Sequence, residues 1–104
     1  MGKKVNWTNE ASAWVEKIYH SVMADKPEAA ERLVEEIYHK TDVLEDFPEI
    51  GYRLLDYPHR HVRVLLYGHY RIVYVIKKND RIDVLGVFHG ALDFKRYLQI
   101  DDDE

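Results

Sequence analysis

The sequence predicts an α+β fold: a short N-terminal strand, an antiparallel helical hairpin, a three-stranded antiparallel meander and a short C-terminal helix. Apolar residues recur at helical spacing between Ala11 and Leu44. After Gly51 the apolar period changes to two residues, which is typical of strands. With 104 residues the chain is long enough to bury one core, so residues 1–104 are predicted to form a single domain.

The first predicted elements are a strand and a helix. Val5 to Trp7 is the strand candidate. Thr8 or Asn9 is suited to cap the helix that follows, because its side chain can accept a hydrogen bond from the first helical turn. The apolar stripe of this helix consists of Ala11, Trp14, Val15, Ile18, Tyr19 and Val22.

A second helix is predicted directly after the first. Asp25 and Glu28 are spaced like a capping box, and Pro27 is tolerated in a first helical turn. Pro48 closes the helical segment. Because the connection is so short, the two helices should run antiparallel. The stripe of the second helix consists of Ala30, Leu33, Val34, Ile37, Thr41 and Leu44.

Three apolar segments of strand length then form the meander, at residues 62–67, 70–76 and 82–89. Both faces of the resulting sheet are mostly apolar. The helical pair can cover one face, and either residues 91–98 or a partner chain must cover the other. An uncovered face would favour a homo-oligomer. Residues 99–104 are predicted to be a frayed acidic tail.

Charge is distributed unevenly along the chain. The net charge is −4, yet residues 52–81 contain seven Lys and Arg against two Asp, a local charge of +5. Some of these cations are expected to solvate hairpin edges. The excess also predicts an anionic target surface, such as RNA or an acidic protein segment. The candidate target-binding residues are Arg53, Arg60, Arg63, Arg71 and Arg81.

Several classes of protein are excluded by composition. The chain has no cysteine, which excludes a disulfide framework and fits a cytoplasmic location. No apolar run approaches the roughly 20 residues that span a bilayer, so no membrane partner is expected. No glycine-rich loop is present to bind a nucleotide phosphate, and the histidines lack the fixed spacing of a metal site. The sequence therefore predicts neither a cofactor nor a metal.

The order of elements resembles the RelE/ParE toxin superfamily over residues 5–94. The segment from Tyr70 to Tyr74, followed one hairpin later by a strand that ends in His89, is the most specific part of this resemblance. It implies the toxin of a bacterial type II toxin-antitoxin pair, which a cognate antitoxin neutralises. The remaining motifs are Trp7-Thr8, Asp25-Lys26-Pro27-Glu28-Ala29-Ala30, Phe47-Pro48-Glu49-Ile50-Gly51, Val62-Arg63-Val64 and Val87-Phe88-His89-Gly90.

The resemblance implies two alternative activities. ParE-like members poison DNA gyrase by binding. RelE-like members cleave messenger RNA on the ribosome, which requires a base, an acid and a cation to converge near one phosphate. For the second activity the resemblance implies Arg63, Arg71 and His89 as catalytic residues, with Tyr97 as a further acid or base. Alternation places Arg63 with Leu65 and Arg71 with Val73, which is compatible with one shared face.

One departure from the superfamily pattern favours binding over cleavage. Where many relatives have an arginine three residues after the histidine, this chain has Leu92. The lost cation favours the ParE-like activity, and it also keeps open a scaffold that binds antitoxin without being toxic. For two of the candidate catalytic residues, a purely structural role is an alternative. Arg71 could pair with Asp83 or Glu49, and His89 could be a hydrogen-bonded residue at a strand end.

Overall fold

The computed structural model describes residues 2–100. Its elements are β1 (Lys4–Trp7), α1 (Asn9–Asp25), α2 (Pro27–Lys40), β2 (Tyr52–Arg53), β3 (Val62–Tyr67), β4 (Tyr70–Lys77), β5 (Arg81–His89) and two 3-10 helices, Thr41–Glu45 and Phe94–Arg96. The strands form one five-stranded sheet of order β1-β5-β4-β3-β2. β1 runs parallel to β5, and the other neighbouring strands are antiparallel. The α+β class, the N-terminal strand, the helical hairpin and the meander are confirmed.

The start of α1 is fixed by Thr8, as its sequence position predicts. Its hydroxyl oxygen accepts a hydrogen bond from the Ala11 amide at 3.1 Å and donates one to the Val84 carbonyl at 2.9 Å. The same side chain therefore caps the helix and attaches its first turn to β5.

The predicted capping box of α2 does not form. Asp25 is the last residue of α1, and Lys26 alone separates the two helices. A capping residue needs a non-helical backbone, so Asp25 cannot serve α2, and Lys26 makes no side-chain capping bond. Pro27 occupies the first turn as expected, whereas the α-helix ends at Lys40 and continues as a 3-10 helix.

The core consists of two clusters, one on each face of the sheet. The C-terminal segment packs on the outer face through the buried Phe94 and through Leu92, Leu98 and Ile100. The chain itself therefore covers the face for which a partner was an alternative, and that reason for self-association is removed. Residues 101–104 of the expected tail lie outside the described residues. On the helix side the cluster contains Ala11, Val15, Ile37, Leu44, Leu65, Ile72, Tyr74, Ile82, Val84 and Val87; the outer one contains Leu54, Val62, Val64, Val73, Val75, Phe88 and Phe94.

A β-bulge interrupts the alternation of β5. Val73 pairs with Gly86 while Tyr74 pairs with Val84, so Leu85 is the extra residue. As a result Val87 packs on the helix side and Phe88 on the outer side.

The segment before β2 is attached to the sheet by the hydroxyl of Tyr74. That oxygen accepts a hydrogen bond from the Gly51 amide at 3.0 Å and donates one to the Pro48 carbonyl at 2.7 Å. Burial raises the pKa of Tyr74, which keeps the hydroxyl protonated as a donor. Gly51 lies so close to β3 that an added Cβ would be 2.5 Å from the Val64 carbonyl oxygen.

Tyr74→Phe should lower the free energy of unfolding by about 1–3 kcal/mol, because it leaves the Gly51 amide without its buried acceptor. Urea denaturation measures this change. Tyr70→Phe is the matched control, since Tyr70 lies on the same face of β4 and its hydroxyl makes no hydrogen bond within residues 2–100. Equal losses in both variants would contradict a specific role for the Tyr74 hydroxyl.

Candidate functional site

Arg63 and Arg71 lie on opposite faces of the sheet, which corrects the expectation of a shared face. Tyr67 pairs with Tyr70 across a two-residue turn, so these two side chains share a face. Counting along each strand from this pair places Arg63 on the helix side, opposite Tyr74, and Arg71 on the outer side, opposite Leu66. The two guanidinium groups cannot act on one phosphate.

The contacts of Arg63 are internal. Its Nε donates to the Gly51 carbonyl at 2.7 Å, and its Nη1 donates to Nε2 of His61 at 3.0 Å. A guanidinium cannot accept a hydrogen bond, so Nε2 of His61 must be unprotonated. Burial lowers the pKa of His61, and the charges of Arg53 and Arg63 lower it further, opposed by Glu49.

Two other candidate target-binding residues, Arg81 and Arg60, are engaged in internal contacts or buried. Arg81 donates to both oxygens of Asp83, at 3.1 and 3.3 Å. Asp83 also accepts from Asn6 and pairs with Lys77 at 3.4 Å. Burial alone would raise the pKa of Asp83, but these hydrogen bonds and charges outweigh it and the pKa is lowered. Arg60 is buried, with 7% of its surface exposed. The expected basic surface is therefore not continuous.

Arg71 and His89 both line a cleft of about 310 Å³ at the end of the β3–β4 hairpin. His89 pairs with Tyr70 and Arg71 pairs with Phe88, so the two side chains leave opposite faces of the sheet and approach the cleft around its end. This hairpin-end cleft is lined by Leu66, His69, Arg71, His89 and their neighbours. The Arg71 guanidinium lies 5.8 Å from the centre of the Phe94 ring and forms no ion pair within residues 2–100, so the suggested pairing with Asp83 or Glu49 is absent. No carboxylate within residues 2–100 therefore neutralises the charge of Arg71.

The cleft contains two imidazoles. The rings of His69 and His89 are nearly parallel, with centres 6.2 Å apart. Nδ1 of His89 accepts a hydrogen bond from the Ala91 amide at 3.2 Å, so neutral His89 has its proton on Nε2. His69 was not among the predicted site residues. The turn at Gly68, whose φ is +57°, is the sequence signal that brings it beside His89.

Tyr97 and Leu92 do not contribute to this cleft. Tyr97 packs edge-on against Trp14 at 5.5 Å and lines a different cleft, with Thr8 and Leu85. Leu92 packs against the outer core cluster. The position that is an arginine in many relatives is therefore part of the hydrophobic packing in this chain.

The order of elements, with a helical hairpin packed on a small sheet, is that of the RelE/ParE toxin superfamily. A family model described as ParE toxin of the type II toxin-antitoxin system, parDE, matches residues 5–94. The chain belongs to this ParE toxin family, which confirms the resemblance deduced from its motifs.

Solved structures show the same fold. A chain of the chromosomal ParDE toxin-antitoxin system from P. aeruginosa is 20% identical, with a TM-score of 0.69 over 84% of this chain and 95% of that chain. A chain of the RelBE2 toxin-antitoxin complex from Mycobacterium tuberculosis is 21% identical, with a TM-score of 0.55 over 86% and 99%. No curated protein sequence matches significantly. No helix within residues 2–100 is long and apolar enough to cross a membrane.

His61 should make stability depend on pH. Its folded pKa lies below the unfolded value of about 6.5, so the contribution of neutral His61 is complete above that pH and is lost as the pH falls through the folded pKa. His61→Gln retains an acceptor for Arg63 and cannot be protonated. Urea unfolding between pH 7.5 and about 5 should therefore show a shallower loss of stability in this variant than in the wild type.

The matched control is His59→Gln, because His59 is an exposed neighbour on the same loop. It should follow the wild-type curve. If His61→Gln loses stability as steeply as the wild type, His61 is not the group responsible.

Proposed function

We propose that this protein is the toxin of a bacterial type II toxin-antitoxin pair and that it inhibits DNA gyrase by binding. The observation that carries this proposal is the separation of Arg63 from Arg71 on opposite faces of the sheet. RNA cleavage needs several cations and proton-transfer groups around one phosphate, whereas inhibition by binding needs only a complementary surface. The packing of the partly buried Leu92 against the outer core cluster, in the position of a lost arginine, supports the same choice.

The surface proposed to bind gyrase is the rim of the hairpin-end cleft. Leu66 is 56% exposed there, directly opposite Arg71 on the neighbouring strand. Arginine is one of the residues that contribute most binding energy at protein interfaces, and the exposed Leu66 beside it adds apolar surface that a partner can bury. Arg53 and Arg63 lie at the β2 edge of the sheet and would contribute at most to its periphery.

A cognate antitoxin is the second proposed partner. Both structural neighbours are toxin-antitoxin systems, and the family model describes a toxin of such a pair. Gyrase and a directly binding antitoxin both imply a cytoplasmic location.

Arg71→Ala should relieve the growth arrest caused by induction of the wild type and abolish inhibition of gyrase supercoiling in vitro. The reason is loss of the accessible cation at the proposed surface. The variant should remain folded, because a partly exposed cation–π contact is worth about 1 kcal/mol or less.

Lys78→Ala is the control, an exposed cation at the opposite hairpin that should stay toxic. Cells arrested by the wild type should filament with an SOS response. An Arg71→Ala protein as toxic as the wild type would overturn the proposed surface. A wild type that causes no arrest would favour the non-toxic scaffold.

A specific observation favours a second candidate, a ribosome-dependent mRNA endoribonuclease. His69, Arg71 and His89 line one cleft, and the two imidazole rings have their centres 6.2 Å apart. One imidazole could remove the proton of a 2′-hydroxyl while the other protonates the leaving oxygen, and Arg71 could stabilise the charge at phosphorus. In this candidate His69 takes the place that the family resemblance implied for Arg63 or Tyr97.

His89→Gln separates the two candidates. If the protein acts by binding, this variant should retain gyrase inhibition within about twofold, because glutamine preserves a polar side chain at the rim. If the protein is a nuclease, the variant should lose transcript cleavage on purified ribosomes by about 100-fold or more, the usual contribution of a general acid or base. The two assays are run on the same protein preparation.

A further inference from the structure

We propose that the free edge of β2 is the docking site for an extended segment of a partner protein in which an acidic residue is flanked by apolar residues. The segment would add to the sheet as a sixth strand, with its carboxylate beside Arg53 and Arg63. This inference goes beyond the proposed function, because it does not depend on whether the target is gyrase or the ribosome.

The backbone of Arg53 is directed toward the open edge. The Leu54 amide donates to the Val62 carbonyl at 2.9 Å, and Arg53 stands opposite Arg63. In an antiparallel pair the hydrogen-bonded positions alternate, so the N–H and C=O groups of Arg53 point away from β3. Because β2 is the last strand of the sheet, these groups can pair with an added strand.

The two arginines at this edge form a site that favours an anionic group. Arg53 and Arg63 are direct cross-strand neighbours in a position without mutual hydrogen bonds, where side chains approach most closely. Like charges in such a pair repel. Within residues 2–100 neither arginine forms an ion pair, although Glu49 is close enough to act on His61. A carboxylate from a partner would relieve this repulsion.

The apolar part of the segment follows from the neighbours of Arg53. Tyr52, the neighbour of Arg53 within β2, is 46% exposed, and Ile50, just before the strand, is 54% exposed. Side chains alternate along a strand, so a segment with its carboxylate on the Arg53 face turns the two flanking residues to the face of Tyr52. Apolar flanking residues would cover this exposed surface.

A second copy of this chain fits the edge poorly. If two β2 strands paired about a two-fold axis, the arginine pairs of both copies would be brought together at one edge. Four guanidinium groups would then face each other without a carboxylate between them. The charge therefore selects a different, acidic chain.

The test uses the full-length protein and a short capped peptide that alternates threonine and valine, with one glutamate at its centre. At low salt this peptide should bind about tenfold more tightly than the same peptide with glutamine, because a hydrogen bond to a charged group is stronger than a neutral one. Two-dimensional NMR should show the shifts at residues 50–55 and 61–64, and hydrogen exchange of the Arg53 amide should slow. The pKa of His61 should rise on binding, since a carboxylate offsets the two guanidinium charges.

Arg53→Gln should remove the preference for glutamate, whereas Lys78→Gln, which neutralises an exposed cation at another hairpin, should retain it. Equal affinity for the two peptides, or shifts that map away from β2, would overturn the proposal. A concentration-dependent dimer through the β2 edge, detected by light scattering and by the same NMR shifts, would overturn it too. Because none of these measurements involves growth arrest, failure of the docking site and failure of the toxin function remain distinguishable.

Discussion

Burial of β4 on both faces is the constraint on which the rest of this structure depends. Four consecutive residues, Ile72 to Val75, are fully buried, so two layers must cover the sheet. The helical hairpin supplies one layer, and the C-terminal segment around Phe94 supplies the other. A single chain of this size thereby completes its own core, and its charged groups are left to the ends and edges of the sheet.

This arrangement divides a basic stretch of sequence among separate places. Arg81 and Lys77 lie at one end of the sheet, where they neutralise the buried carboxylate of Asp83. Arg71 lies at the other end beside two histidines, and Arg53 with Arg63 lies at the β2 edge. The local charge of +5 is therefore a property of the sequence and not of one surface. The hairpin-end cleft combines a cation that forms no ion pair within residues 2–100 with two histidines that can transfer protons.

Periodicity predicted the helices and the three long strands because each buries a regular stripe or face. Periodicity gave the wrong face where a single extra residue shifts the alternation of side chains along a strand. Leu85 is the extra residue of a bulge, which moves Phe88 to the outer face, and alternation alone cannot show this. The faces of Arg63 and Arg71 were, by contrast, accessible from the sequence: a two-residue turn at Gly68 and His69 already places them apart. Strand β2 is too short, at two residues, to give any periodic signal.

The two edges of the sheet are protected in different ways, and the difference gives the β2 edge its chemical character. Beside β1, the Lys3 amide donates to the Glu45 carbonyl and the Trp7 indole donates to Thr41, so a 3-10 helix closes that edge. At the other edge, no strand within residues 2–100 pairs with the outer side of β2. This edge is protected from unwanted strand pairing by the short length of β2 and by the charge of its arginines. A covering helix excludes every added strand, whereas charge distinguishes between strands. The arginines repel a strand that carries an arginine and attract a strand that carries a carboxylate. The pair of arginines that would repel a second copy of this chain is therefore also the feature that would attract the carboxylate of the proposed segment.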